Sequence, residues 1–141
     1  MRMMMAAGAL AAAAILPAVA GAEQFDGKRP LLCSAFQMFE CDLAQGCQQV
    51  NAEQIGVASS WNIDFRKKQV IGTSANAEPN AIDRVEVLDG KLFLSGIQDG
   101  SPTERDGVAW SVSINNPNGL MTIMVAGEGA GIVGLGSCVP R

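Results

Sequence analysis

The chain has 141 residues, a formal net charge of −4 and neither histidine nor tyrosine. The absence of histidine excludes the Ser-His-Asp hydrolases and most zinc sites, because these depend on imidazole. A modest acidic excess also lacks the basic face that nucleic-acid-binding proteins need, so we expect no nucleic-acid partner.

The N-terminal residues 1–22 have the pattern of a secretory signal peptide. Arg2 supplies a positive charge, an uncharged apolar run follows, and the sequence A-G-A at residues 20–22 fits a cleavage site. A permanent transmembrane helix is the alternative, but the run is rich in alanine and is broken by Pro17. We therefore expect one domain at residues 23–141, with no membrane anchor after cleavage and a periplasmic or extracellular location.

The cysteines of an exported small domain are expected to form disulfides. There are four, at Cys33, Cys41, Cys47 and Cys138. The favoured pairs are Cys41 with Cys47 and Cys33 with Cys138; the alternative joins Cys33 to Cys47 and Cys41 to Cys138. A metal site of four thiolates is not supported, because zinc sites favour cysteines about two to four residues apart. No C-x-x-C sequence is present either, so a redox centre is not supported.

The segment before Trp61 gives mixed signals. Residues 23–30 are polar and predict an extended lead-in. From Pro30 to Val50 the pattern is ambiguous, because apolar residues recur at helical spacing while their neighbours alternate loosely as in a strand. The helical set consists of Leu32, Phe36, Phe39 and Leu43. We expect a short helical or irregular element here, and the Asn51-x-x-Gln54 capping box predicts one more helical turn.

From Trp61 onwards apolar residues recur with a period of two, which is typical of strands. Trp61, Ile63 and Phe65 share one face, and residues 66–68 predict a reversal into a second strand. Asp89-Gly90 suits a two-residue hairpin loop, since both residues tolerate positive φ. That loop places Val87 opposite Leu92 and Val85 opposite Leu94, which gathers four apolar side chains on one face.

A further hairpin is predicted around a loop at residues 116–119, where Pro117 and Gly119 suit a turn. In this register Ile114 faces Met121, Val112 faces Ile123 and Trp110 faces Val125. The terminal G-A-G-I-V-G sequence at 129–134 matches a dinucleotide-binding pattern only literally, because that motif must open a helix. We predict a glycine-rich curved strand there instead.

Together these elements predict a mainly β fold, an antiparallel meander of about six or seven strands that forms a small barrel or curled sheet. It would carry two disulfides and the short N-terminal element. Trp61, Trp110, Phe65, Leu92 and Leu94 are predicted either to fill the core or to face a ligand inside the sheet. Met38, Met121 and Met124 are expected to pack rather than to bind a metal, and we expect no cofactor.

The short segments P-L-L-C, E-C-D, G-C, W-N-I-D-F, D-G-K-L-F-L-S-G, A-W-S-V-S-I, N-G-L-M-T-I and G-S-C follow one another along the chain. In this order they resemble an uncharacterised family of small secreted bacterial proteins with four cysteines and a β-meander pattern. The resemblance implies no catalytic or binding residue, because the family has no established activity. Ala109-Trp110 departs from a Gly-Trp pair of that family.

Three functions fit these features. The first is a non-enzymatic module that binds or inhibits an exported protein, through an exposed patch or the polar loop at 98–107. The second is a carrier of a small apolar ligand, with the five aromatic and leucine side chains named above lining its cavity. The third is a hydrolase that uses paired carboxylates, such as Asp64 with Asp83 or Glu86. The carboxylates of the 98–107 loop lack the spacing of a calcium loop.

Overall fold

The computed structural model describes residues 24–100, 103, 106–116 and 118–141, so the predicted signal peptide and Pro117 lie outside the described residues. Within this part of the chain the fold is mainly β, as predicted, with ten strands. The strands are β1 (Leu31–Asp42), β2 (Gly46–Val50), β3 (Ser60–Asp64), β4 (Gln69–Gly72), β5 (Pro79–Ala81), β6 (Arg84–Leu88), β7 (Lys91–Gln98), β8 (Val108–Asn115), β9 (Leu120–Ala126) and β10 (Ala130–Pro140).

All of these strands belong to one antiparallel sheet. Its order is β5-β4-β3-β1-β10-β9-β8-β7-β6, and β2 pairs with the second half of β1. The first and last long strands therefore meet in the middle of the sheet. Among the described residues, no helix is long and apolar enough to cross a membrane.

The sheet is curled because its two edge strands are neighbours in sequence. Only Ile82 and Asp83 separate β5 from β6, although these strands stand at opposite ends of the hydrogen-bonded order. Three residue steps span about 11 Å at most, so the two edges must approach each other. The backbone N–H of Asp83 donates to Ser95 O of β7 over 2.9 Å, and Ala81 lies against Gly96. The expectation of a barrel-like curled sheet is thus confirmed.

The prediction of a short helical or irregular N-terminal element is wrong, because residues 31–42 form the central strand β1. The helical spacing arises from a β-bulge at Phe36, where the register with β10 shifts between Ala35 and Gln37. One extra residue changes which side chains face inward, so Cys33 and Met38 are both buried although five positions separate them. A period of two that is interrupted once resembles a helical pattern over a short window.

The count of six or seven strands is corrected to ten among the described residues. The seven strands predicted after Trp61 are all present, and β1, β2 and the short β5 are added to them. Pro79 begins β5 at the edge of the sheet, where a residue without an N–H is tolerated.

Two other N-terminal predictions are also corrected. The lead-in forms turns and bends, with Gly27 at φ +76°, and buries Phe25 in the core. The capping box does form its two reciprocal hydrogen bonds, Gln54 N to Asn51 Oδ1 at 3.0 Å and Asn51 N to Gln54 Oε1 at 2.9 Å. They close a turn at 52–56 instead of a helix, because Gly56 adopts positive φ and the chain enters β3.

The predicted hairpins are confirmed residue by residue. Val85 pairs with Leu94 and Val87 with Leu92, and the loop residues Asp89 and Gly90 have φ of 49° and 70°. The β8–β9 register matches the prediction at all three pairs, including Trp110 with Val125. The glycine-rich segment forms β10 rather than a nucleotide-binding turn and helix.

The core lies on the inner face of the curled sheet. Its buried members include Leu31 of β1, Leu92 and Leu94 of β7, and Ile114 of β8. β10, at the centre of the sheet, has glycine at inner positions where other residues approach closely. A Cβ at Gly134 would lie 2.6 Å from Ile123 Cγ2, which is too close for any side chain.

Candidate functional site

The side chains that point away from the core on strands β6 to β10 form a continuous face. Alternation puts Leu92 and Leu94 inward, so Phe93 and Ser95 point outward. We call the equivalent positions on these five strands the outer surface. The name covers the uncharged Leu88, Phe93, Ser95, Ser111, Ser113, Leu120, Thr122, Met124, Val133 and Leu135, and the charged Arg84, Glu86 and Lys91 lie on the same side at its β6 end.

Large apolar side chains of the outer surface remain exposed to solvent. Their exposed fractions run from 38% for Phe93 to 59% for Leu88, with Leu120, Met124 and Leu135 between these values. Single exposed leucines are ordinary, but several large apolar side chains exposed on one face of a sheet make that face a candidate binding surface.

The outer surface also lacks charge over most of its width. Strands β8, β9 and β10 contain no aspartate, glutamate, lysine or arginine. Charged groups border it on β6, where Arg84 Nη2 donates to Glu86 Oε1 over 2.6 Å. An uncharged centre with charges at its rim is the composition of a protein–protein interface.

Two open grooves, each of about 470 Å³, cross this face. Ser111 and Met124 line both, so the grooves adjoin. The first runs towards β6 and is lined by Leu88, Phe93 and the Arg84–Glu86 pair. The second runs towards β1 and reaches Cys41 and Val133.

Hydroxyl groups lie between the apolar side chains of the first groove. Ser95 is directly opposite Ser111, and Ser113 is directly opposite Thr122. Each hydroxyl can donate and accept a hydrogen bond. The groove can therefore take an apolar side chain against Phe93 and satisfy a polar backbone group beside it.

The residues predicted to fill the core or face a ligand all belong to the core. Leu92, Leu94 and Trp110 are buried, and Trp61 and Phe65 pack against the same cluster. Trp110 Nε1 is buried without a hydrogen-bond partner among the described residues. The expectation that the methionines pack is correct for Met38 and Met121 but wrong for Met124, which faces outward and is exposed.

The disulfides join Cys33 to Cys138 and Cys41 to Cys47, which are the pairs that the sequence favours. Each links directly opposed residues of neighbouring strands, β1 with β10 and β1 with β2. The first is buried in the core. The second adjoins the outer surface through Cys41, whereas Cys47 is exposed. Two disulfides are compatible with an oxidising, extracellular environment.

The carboxylates proposed for catalysis each have a local structural partner. Asp64 Oδ1 accepts hydrogen bonds from the backbone N–H groups of Arg66 and Lys67 in the β3–β4 turn. Asp83 Oδ2 accepts from Ile97 N at 3.0 Å, and Glu86 pairs with Arg84. Within the described ranges, no three histidine, cysteine, aspartate or glutamate side chains are grouped so as to hold a metal ion. The loop at 98–107 lies partly outside those ranges.

Sequence reasoning missed the outer surface. The signal is present in β9, where L-M-T-I-M-V-A has large apolar residues at both alternating sets of positions. One set, Met121, Ile123 and Val125, accounts for the predicted core face. The other set includes Leu120 and Met124, and it could have indicated a second apolar face.

Comparisons of the chain with protein-family models, with curated proteins and with solved structures found no match. The resemblance to a family of small secreted bacterial proteins therefore stays a prediction.

Proposed function

We propose that the protein is an exported, non-enzymatic module that binds another exported protein through the outer surface. The observation that carries this proposal is the exposure of large apolar side chains on an uncharged sheet face. Keeping Leu88, Leu120 and Met124 in water is unfavourable, by roughly 25 cal/mol for each Å² of apolar area. A partner that covers them recovers this free energy.

The shape of the outer surface favours a protein partner over a small ligand. Small-molecule sites enclose most of their ligand, whereas both grooves here are open along the sheet. Phe93 and Met124 belong to residue types that are enriched at interfaces. They lie near the middle of the surface, where residues that dominate binding energy are usually found.

The carrier alternative has less support. Leu92, Leu94 and Trp110, which would line its cavity, are buried among one another in the core. The outward-facing Phe93 and Met124 line grooves that are open to solvent. We therefore do not propose a carrier.

Export is part of the proposal and rests on two features. The N-terminal residues 1–22 have the composition of a signal peptide, and all four cysteines are joined in disulfides. After cleavage the module would act in the periplasm or outside the cell, and its partner would be exported as well.

The test is affinity capture of exported proteins from the source organism on the immobilised, disulfide-bonded protein. Phe93→Ser and Met124→Ser remove apolar area at the centre of the outer surface. Leu43→Ser is the matched control, since Leu43 is 98% exposed but lies in the β1–β2 turn, away from this surface. Thermal unfolding verifies that all three variants fold.

We expect one partner to bind the wild type and Leu43→Ser equally. Its affinity for Phe93→Ser and Met124→Ser, measured with the purified partner, should fall about tenfold or more, as is typical of central interface residues. Unchanged affinity of the two outer-surface variants would contradict the proposal, as would the lack of any specific partner.

A further inference from the structure

The edge strand β6 leaves one side of the sheet open to pairing with a further strand. It stands at the end of the strand order, and among the described strands it pairs with β7 alone. All five of its residues are exposed. Such an edge offers a row of backbone groups to another strand.

The backbone groups that face away from β7 belong to Val85 and Val87. In a hairpin with a two-residue loop, the residues next to the loop, here Leu88 and Lys91, bond to each other, and the bonded positions then alternate along the strand. Arg84 and Glu86 therefore point their N–H and C=O groups at β7. Among the described residues, the backbone hydrogen bonds outside the strand ladders involve neither Val85 nor Val87.

The core is also incomplete beside this edge. On the inner face Val85 and Val87 are 40% and 46% exposed, whereas their cross-strand partners Leu94 and Leu92 are 2% and 0% exposed. Gly27 of the lead-in lies close to Val85, since a Cβ there would be 3.1 Å from Val85 Cγ1. It covers Val85 in part, because that side chain stays 40% exposed. A strand added beside β6 would cover Val85 and reduce the exposure of Val87.

The charged side chains of β6 favour a second copy of β6 as the added strand. Arg84 and Glu86 lie two residues apart on the same side of the strand and carry opposite charges. Charged edge residues usually repel another strand. Here an antiparallel copy of β6 centred on Val85 would instead place Arg84 opposite Glu86 of the second copy, and Glu86 opposite its Arg84.

We propose that two copies of the protein associate through β6, antiparallel, with Val85 facing Val85 across a twofold axis. This register also suits the backbone, because Val85 has the outward N–H and C=O groups that an opposed pair exchanges. A twofold axis at Glu86 would instead bring two glutamates face to face, which is unfavourable. The pairing is isologous and closes on itself.

This association goes beyond the proposed partner binding and does not depend on it. It would place two outer surfaces side by side on one continuous sheet. A partner with two binding sites would then be held by both.

The test measures the molecular mass of the exported, disulfide-bonded protein by sedimentation over a range of concentrations. Arg84→Glu and Glu86→Arg each place like charges opposite one another in the proposed register. Each variant alone should dimerise about tenfold or more weakly than the wild type. An equimolar mixture of the two should regain the dimer, because one chain then presents two acidic side chains to two basic side chains of the other.

Two further variants separate pairing from folding. Val85→Pro removes an N–H that points away from β7 and leaves the hydrogen bonds between β6 and β7 in place, so the monomer should fold while dimerisation is lost. Lys67→Glu makes the same change of charge as Arg84→Glu in the β3–β4 turn and should leave the dimer unchanged.

A wild type that stays monomeric at all concentrations would overturn the proposal, and so would a mixture that fails to regain the dimer. If β6 instead pairs with a strand of a different protein, the purified protein would stay monomeric, and this result too would overturn the proposal. Failure of the outer-surface proposal is distinguishable from this one, because it would appear as unchanged partner affinity of Phe93→Ser while the wild type still dimerises.

Discussion

The inner and outer faces of the sheet are formed by alternate residues of the same strands, yet only the inner face is covered. On β7, Leu92 and Leu94 are fully buried, while Phe93 between them is exposed. On β9, Met121 is buried, whereas Leu120 and Met124 are not. The two faces therefore differ in burial far more than in the size of their apolar side chains.

This difference shows which face stabilises the single chain. A sheet with one face in solvent normally alternates apolar with polar residues. Strands β8 to β10 follow that rule only partly, because their outward positions hold Ser111 and Ser113 but also Met124 and Leu135. The apolar outward residues add little to the fold of a single chain, and under the proposed function they contact a partner.

One disulfide lies on each face of the sheet. Removing them should give the largest change in the free energy of unfolding. Replacing Cys33 and Cys138 with alanine opens a loop closed over 105 residues, whereas Cys41 and Cys47 are separated by only 6. The chain-entropy relation gives losses of about 5 and about 2 kcal/mol in the free energy of unfolding. Urea unfolding of the two double variants measures both losses. Equal losses would show that loop length does not govern the contribution of these bridges.

Neighbouring residues of β7 provide the most direct contrast between the faces. Leu92→Ala should lower the free energy of unfolding by about 2–5 kcal/mol, because it leaves a cavity in the core. Phe93→Ala should lower it by about 1 kcal/mol or less, since the ring is already partly in water. Urea unfolding checks both variants. A loss for Phe93→Ala that matches Leu92→Ala would mean that the outer surface is needed for folding.

Two glycines of β10 extend the contrast to the backbone. A Cβ at Gly136 would point inward, overlap the backbone O of Ser34 and approach Ala35 Cα to 2.8 Å, so Gly136→Ala should cost about 3 kcal/mol or more. A Cβ at Gly131 would point outward, with Val125 O at 3.3 Å. Gly131→Ala should be close to neutral, because reduced freedom of the unfolded chain offsets a small adjustment. Thermal unfolding measures both shifts, and a reversed order would contradict the assignment of the two faces.

The hairpins after Trp61 could be predicted from sequence because their information is local. The loop Asp89-Gly90 fixes the register of β6 and β7, and a shift by one residue would turn Val85 and Val87 to the other side. The turn after Asn115 does the same for β8 and β9. In both hairpins the turn residues and the apolar alternation predict the same register.

The N-terminal strand could not be predicted in this way. β1 has no hairpin partner that defines its full length; it pairs with β10, which lies about a hundred residues further along the chain. The bulge at Phe36 also interrupts its alternation, and this bulge exists because β1 and β10 meet in that register. Local sequence carries neither piece of information.

The sequence by itself determined the antiparallel class, the two hairpin registers and the shared inward side of Trp110, Leu92 and Leu94, because each depends on contacts between near neighbours in the chain. Only the tertiary structure decided that β1 and β10 lie at the centre and that β5 and β6 are the edges. It also decided which apolar residues remain in water. Burial depends on whether another part of the chain covers a face, and for the outer surface none of the described residues does so.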